Sequence, residues 1–260
     1  MVTPSIPNPS EDNQHKQEYP LPVRPPRDPA WSVVDVLLLG GATFLVINIL
    51  AAIFLVPILV RLKAPAGQQL PVTTVAKAVI PAELVAYVLL IAIAKVVLGM
   101  RGYPSLLKAV KWNWPSWQRV FAFVALAVAC AVAVVKSGSL FNIPPDLPIE
   151  EMLKDRVVAN MFLLFGILPA PFVEEFYFRG LVYPALERKL GAAAAVMLTA
   201  AAFAGLHASQ LAGAWAPIAL LFMVGLVLTL IRAITGSVAA AFIFHVSYNA
   251  ALFAIDTLAK

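Results

Sequence analysis

Charge is scarce in this chain. Of its 260 residues only 13% are Asp, Glu, Lys or Arg, against 61% that are hydrophobic, and the mean hydropathy is +0.86. A soluble globular chain is about a quarter charged and about half apolar, so that class is excluded. A single cysteine, Cys130, rules out a disulfide framework within the chain, and its alanine neighbours mark it as a small core residue. The apolar runs are continuous rather than alternating, which argues against a β-barrel. The His-Glu-x-x-His zinc signature is missing. No internal repeat is evident, which weighs against a transporter built from two similar halves. The net charge of +5 implies no nucleic-acid partner, because the basic residues fall in connecting loops, as orientation signals and headgroup contacts require.

What is present is an all-α polytopic membrane protein, expected as one bundle of about seven transmembrane helices around a polar intramembrane cavity, with the lipid bilayer as its first partner. Residues 1–30 are polar and proline-rich and read as a disordered cytoplasmic tail. They lack the apolar run of a signal peptide, and His15 within them reads as a solvated residue. Seven hydrophobic segments follow near Trp31–Val60, Thr74–Leu98, Trp117–Val135, Val157–Leu181, Gly191–His207, Trp215–Ile231 and Ser237–Leu258, each about the length of a span. Residues 31–135 form the N-terminal helices, 136–156 a loop with a short surface helix, and 157–258 the candidate catalytic core. Trp112, Trp114 and Trp117 read as an interfacial belt. The Lys and Arg bias between loops favours a cytoplasmic N-terminus.

Against that apolar background a few ionisable groups stand out. Glu174, Glu175 and Arg179 lie in one hydrophobic segment, His207 in the next, and His245 with Asn249 in the last. Charged groups at membrane depth cost at least a few kcal/mol each and are usually functional. Glu175 and Arg179, spaced i,i+4, are expected to pair. Glu174 points about 100° away and lacks a local cation, which prepares it to act as a general base. Pro169 and Pro171 should break the segment, putting the acids in about the first turn of a restarted helix. Each feature has a structural alternative: acids that offset a helix dipole, or His207, His245 and Asn249 as interhelical glue. Their co-occurrence favours chemistry. A serine nucleophile is disfavoured, since Ser247 faces away from His245. Asp35, Lys95, Arg232 and Asp256 read as interfacial, and Glu83, two residues after Pro81, has no role in this scheme.

Three short patterns occur in order: Glu174-Glu175-x-x-x-Arg179, Phe203-x-x-x-His207 and His245-x-x-x-Asn249. Together they resemble the CPBP family of CAAX-protease and bacteriocin-processing membrane enzymes, over about Val157 to Ala254. The resemblance implies an intramembrane endopeptidase of the Ras-converting CAAX type in the bacterial inner (plasma) membrane, acting on a protein or peptide substrate that is itself membrane-associated. It implies that Glu174 and His207 activate water, that His245 and Asn249 stabilise the oxyanion, and that Glu175 and Arg179 support the site. A zinc ion held by Glu174, His207 and His245 with a position open to water and a metal-free glutamate base with an oxyanion hole are both consistent with these residues. The competing functions are a non-catalytic scaffold or immunity-type protein on the same fold, and a proton-coupled transporter with Glu174 and the histidines as a relay.

Overall fold

The computed structural model describes residues 30–63, 65, 69–141 and 147–258. The proline-rich tail and the prolines at 144 and 145 lie outside the described residues. Those that are described form helices and no strand. In chain order these are α1 (Val33–Leu62), α2 (Val72–Met100), α3 (Leu106–Ala109), α4 (Trp117–Leu140), α5 (Pro148–Lys154), α6 (Arg156–Ile167) and α7 (Pro169–Tyr177). A π-helical turn (Phe178–Val182) follows, then α8 (Tyr183–Leu190), α9 (Ala192–Leu206), α10 (Trp215–Thr235) and α11 (Val238–Leu258). This is an all-α polytopic membrane fold.

Among the described residues five helices are long and apolar enough to cross a membrane, namely α1, α2, α4, α10 and α11; a sixth is added if α6 and Pro169–Leu190 count as one bent span. The expected seven is therefore not reached. The missing one is α9, whose 15 residues rise only about 22 Å at 1.5 Å per residue, short of an ~30 Å hydrocarbon core.

The bend between α6 and α7 is 44°. Its cause is local: Leu168 leaves helical geometry (φ −123°, ψ −58°), and Pro169 opens the next helix, where a missing N–H costs nothing. Glu174 and Glu175 thus lie in the second turn of α7 rather than its first, too far in for a dipole-capping role.

Polar ties hold the periphery. Ser32 and Asp35 form a reciprocal capping box at the start of α1, and Arg101 at the end of α2 closes on Asp35 at 2.7 Å. Asp155 accepts from the Val157 and Val158 amides at the head of α6 and from Lys77 of α2 at 2.6 Å. Trp114 and Trp117 are two-thirds exposed, as an interfacial belt requires. Trp112 is not part of that belt: its ring packs 5.0 Å from Phe172 and 5.2 Å from Phe242, between α7 and α11. Arg232 is likewise not interfacial but buried, donating from Nε to the Arg179 carbonyl.

Candidate active site

The site is assembled where α7, α9, α10 and α11 meet. Arg179 sits in the π-helical turn that follows the two glutamates. Such a turn inserts one extra residue per hydrogen-bonded ring, freeing a carbonyl for other partners. Here Arg232 supplies the partner, donating to the carbonyl of Arg179 at 3.1 Å. Gly180 makes the turn's packing possible, because a Cβ there would stand 3.0 Å from Cβ of Val110.

Glu175 and Arg179 are both fully buried, and the expected pair is present at 2.8 Å between Oε1 and Nη1. The guanidinium has further partners. Nη2 donates to the Gly225 carbonyl at 3.0 Å and Nε to Thr229 Oγ1 at 3.3 Å. Its Cζ lies 4.8 Å over the Phe203 ring and 5.8 Å from that of Phe178. A dry cation is tolerable only when paired and hydrogen-bonded in this manner.

Oε1 of Glu175 also accepts from His245 Nδ1 at 2.8 Å. Since that oxygen already accepts from Arg179, it is a carboxylate acceptor and Nδ1 carries the proton. The opposite ring edge is thereby aimed. Nε2 of His245 stands 3.7 Å from Oε2 of Glu174, whose side chain keeps 16% of its surface exposed. That gap is too long for a direct hydrogen bond and of the size one shared water spans. Glu174 is therefore the more open of the two acids, and among the described residues it forms no ion pair with a Lys or Arg.

His207 caps the end of α9 and contacts its own helix through Nδ1 and the Phe203 carbonyl, 2.9 Å apart. Phe203 is the hub between the two histidines, with its ring centroid 4.9 Å from His207 and 5.8 Å from His245. Asn249, one turn after His245, donates from Nδ2 to the Gly166 carbonyl at 2.8 Å and so ties α11 to α6 near the bend. One of its two N–H donors is thus engaged. The structure brings Glu174, Glu175, Arg179 and His245 into one cluster, with His207 joined to it through Phe203.

The zinc set does not form. Among the described residues no three His, Cys, Asp or Glu side chains gather so as to hold a metal ion, because Phe203 stands between the two imidazoles. Glu174 and His245 alone are two donors, one short of a three-ligand site.

Gly225 and Thr229, which receive the guanidinium, were not legible as partners in the sequence. Their i,i+4 spacing on α10 is visible, but small residues in an apolar run signal close packing before they signal a partner.

The architecture and the cluster together define an integral membrane protein with an acid–imidazole site held inside a helical bundle. Residues 157–251, which contain all three motifs, match the family described as Rce1-like, type II CAAX prenyl endopeptidase Rce1-like. This segment is similar to that family of membrane proteases, the family the motifs resemble. No curated protein and no solved structure gives a match.

Proposed function

We propose that this protein is an intramembrane endopeptidase of the CAAX type in which Glu174 is the base that activates water. The observation that carries this is the asymmetry between adjacent carboxyls. Glu175 is locked by Arg179 and His245, whereas Glu174 is partly open and faces the free edge of the same imidazole at 3.7 Å.

A water held between Glu174 and His245 gives up a proton to Glu174 while its oxygen attacks the scissile carbonyl carbon. The electron pair of that carbonyl moves to its oxygen. His245 donates to this oxyanion from Nε2 when both ring nitrogens carry a proton, with Nδ1 engaged by Glu175. Asn249 is the second donor, and His207 joins Glu174 in orienting the water, the roles the resemblance implies. Collapse of the tetrahedral intermediate breaks the C–N bond, and the proton on Glu174 passes to the leaving amine. No step runs through a metal ion, since the residues present do not assemble a three-donor set. The Lys and Arg bias between loops favours an N-terminus on the cytoplasmic side of a bacterial plasma membrane.

The test is cleavage of a quenched-fluorescent peptide library by purified protein, with and without chelator. Turnover that survives chelation and is lost in Glu174→Gln supports the proposal. Turnover that disappears on chelation and returns with zinc would replace it with a metal-dependent mechanism.

A further inference from the structure

Glu83 lies outside the three motifs and outside the matched segment, on α2. It is twelfth of the 29 residues of that helix, about 16 Å from its start at 1.5 Å per residue, and so near mid-membrane. A carboxyl at that depth needs a reason.

Its direction is fixed by its neighbours. On a 100° wheel Ala76, Ile80 and Tyr87 share its face. Ala76 and Ile80 pack with Val158, Phe162 and Phe165, and Tyr87 stacks on Phe165 with centroids 5.6 Å apart. Leu84, Val85, Val88 and Leu89, on the opposite side of the wheel, are exposed as lipid-facing residues would be. Glu83 therefore points inward, toward α6 and α7, and lies within electrostatic reach of Glu174. Among the described residues it has no hydrogen-bond or ion-pair partner, and it keeps part of its surface open.

The cluster is short of positive charge. Glu174 and Glu175 lie near the Arg179 guanidinium and Glu83 lies near Glu174, while the other buried guanidinium, Arg232, is turned to the Arg179 carbonyl and the Tyr183 ring. The Arg179 guanidinium is fully engaged by Glu175, Gly225 and Thr229. The Oε2 atom of the fully buried Glu175 also lacks a hydrogen-bond partner among the described residues. Acids left over at a site that receives a peptide call for a cation from that peptide.

We propose that Glu83 is a specificity-determining residue of the substrate site and that it receives a basic side chain lying near the scissile bond of the peptide. The inference rests on the peptidase reading and deepens it, because it names the charge class of the substrate. An ammonium or guanidinium carried in by the substrate pairs with Glu83. The same charge offsets the negative field at Glu174, where an oxyanion has to form.

The experiment uses hydrophobic quenched-fluorescent peptides that differ only in carrying Lys, norleucine or Glu at successive positions around the scissile bond. The full chain is assayed in detergent. At one position Lys should exceed norleucine in kcat/KM by at least about tenfold, the size of one partly desolvated ion pair, with Glu the poorest. In Glu83→Gln that ratio should fall to within about twofold. Glu83→Ala reads the same ratio if the glutamine variant is poorly folded. A parental enzyme indifferent to Lys, or a preference that persists in both variants, overturns the inference while leaving the peptidase reading standing. If no peptide is cut, the peptidase reading fails by itself. Binding of the labelled Lys and norleucine peptides to Glu174→Gln, compared with the Glu83→Gln/Glu174→Gln double variant, then decides the inference without turnover.

Discussion

The electrostatic design centres on one oxygen. Oε1 of Glu175 accepts from Arg179 and from His245, both at 2.8 Å. Removing either partner strands the other in a dry interior. Arg179→Ala leaves a buried carboxylate without its cation, at a cost of about 3–5 kcal/mol. The expected result is lower folded yield and an earlier melt in detergent, and normal thermal stability of that variant would contradict the pairing role. The Glu175–Arg179 pair was legible in the sequence because both residues share one helical face. The His245–Glu175 bond was not, since 70 residues separate them and only packing of α11 on α7 brings them together. The same packing sets the Phe203 ring against both imidazoles, which no spacing rule foretells.

At the membrane edge, Asp155 offers a pH-dependent counterpart. The hydrogen bond from Lys77, with help from the Val158 and Val157 amides, holds its carboxyl below the ordinary range. A folded-state value below the unfolded one means that the stabilisation is present above about pH 4 and is lost as pH falls through the lower folded value. Asp155→Asn should therefore melt earlier than the parent at pH 7, with the difference narrowing below pH 4. A difference that stays constant down to strongly acidic pH would contradict this link between α2 and α6.

Among elements, the bend at Leu168 and the π-helical turn carry the site. The bend was readable from Pro169 and Pro171. The turn was not, because Phe178–Val182 has no breaker residue and its geometry comes from tertiary partners: Arg232 on the Arg179 carbonyl and Val110 against Gly180. Close approach of α9 and α10 is similarly set by Gly225, where an added Cβ would stand 3.2 Å from Cα of Ala200. Gly225→Ala should destabilise by about 1–3 kcal/mol through overpacking, and it should displace the carbonyl that receives Arg179. Activity should fall along with stability, and Ala200→Gly in the same chain should recover part of both. A Gly225→Ala variant with parental melting and parental cleavage would show that the α9–α10 contact has slack.

At the scale of the molecule, composition alone identified a polytopic helical membrane protein. The count of about seven spans is not confirmed among the described residues, because α9 is apolar yet only 15 residues long and one apolar run is divided between α6 and α7. Glu83 belongs to this scale too. It stayed unassigned in the sequence because its significance depends on α2 lying against α6 and α7, a contact between segments far apart in the chain.

The most direct test is proteolysis by matched, monodisperse preparations of the parent and of Glu174→Gln, with folded yield and melting measured on the same samples. Glutamine keeps the shape of the side chain and removes the base. If Glu174 activates the attacking water, cleavage falls by at least about 10²-fold, the low end for loss of a general base, while melting stays at the parental value. Cleavage at the parental rate by folded Glu174→Gln would contradict the catalytic assignment.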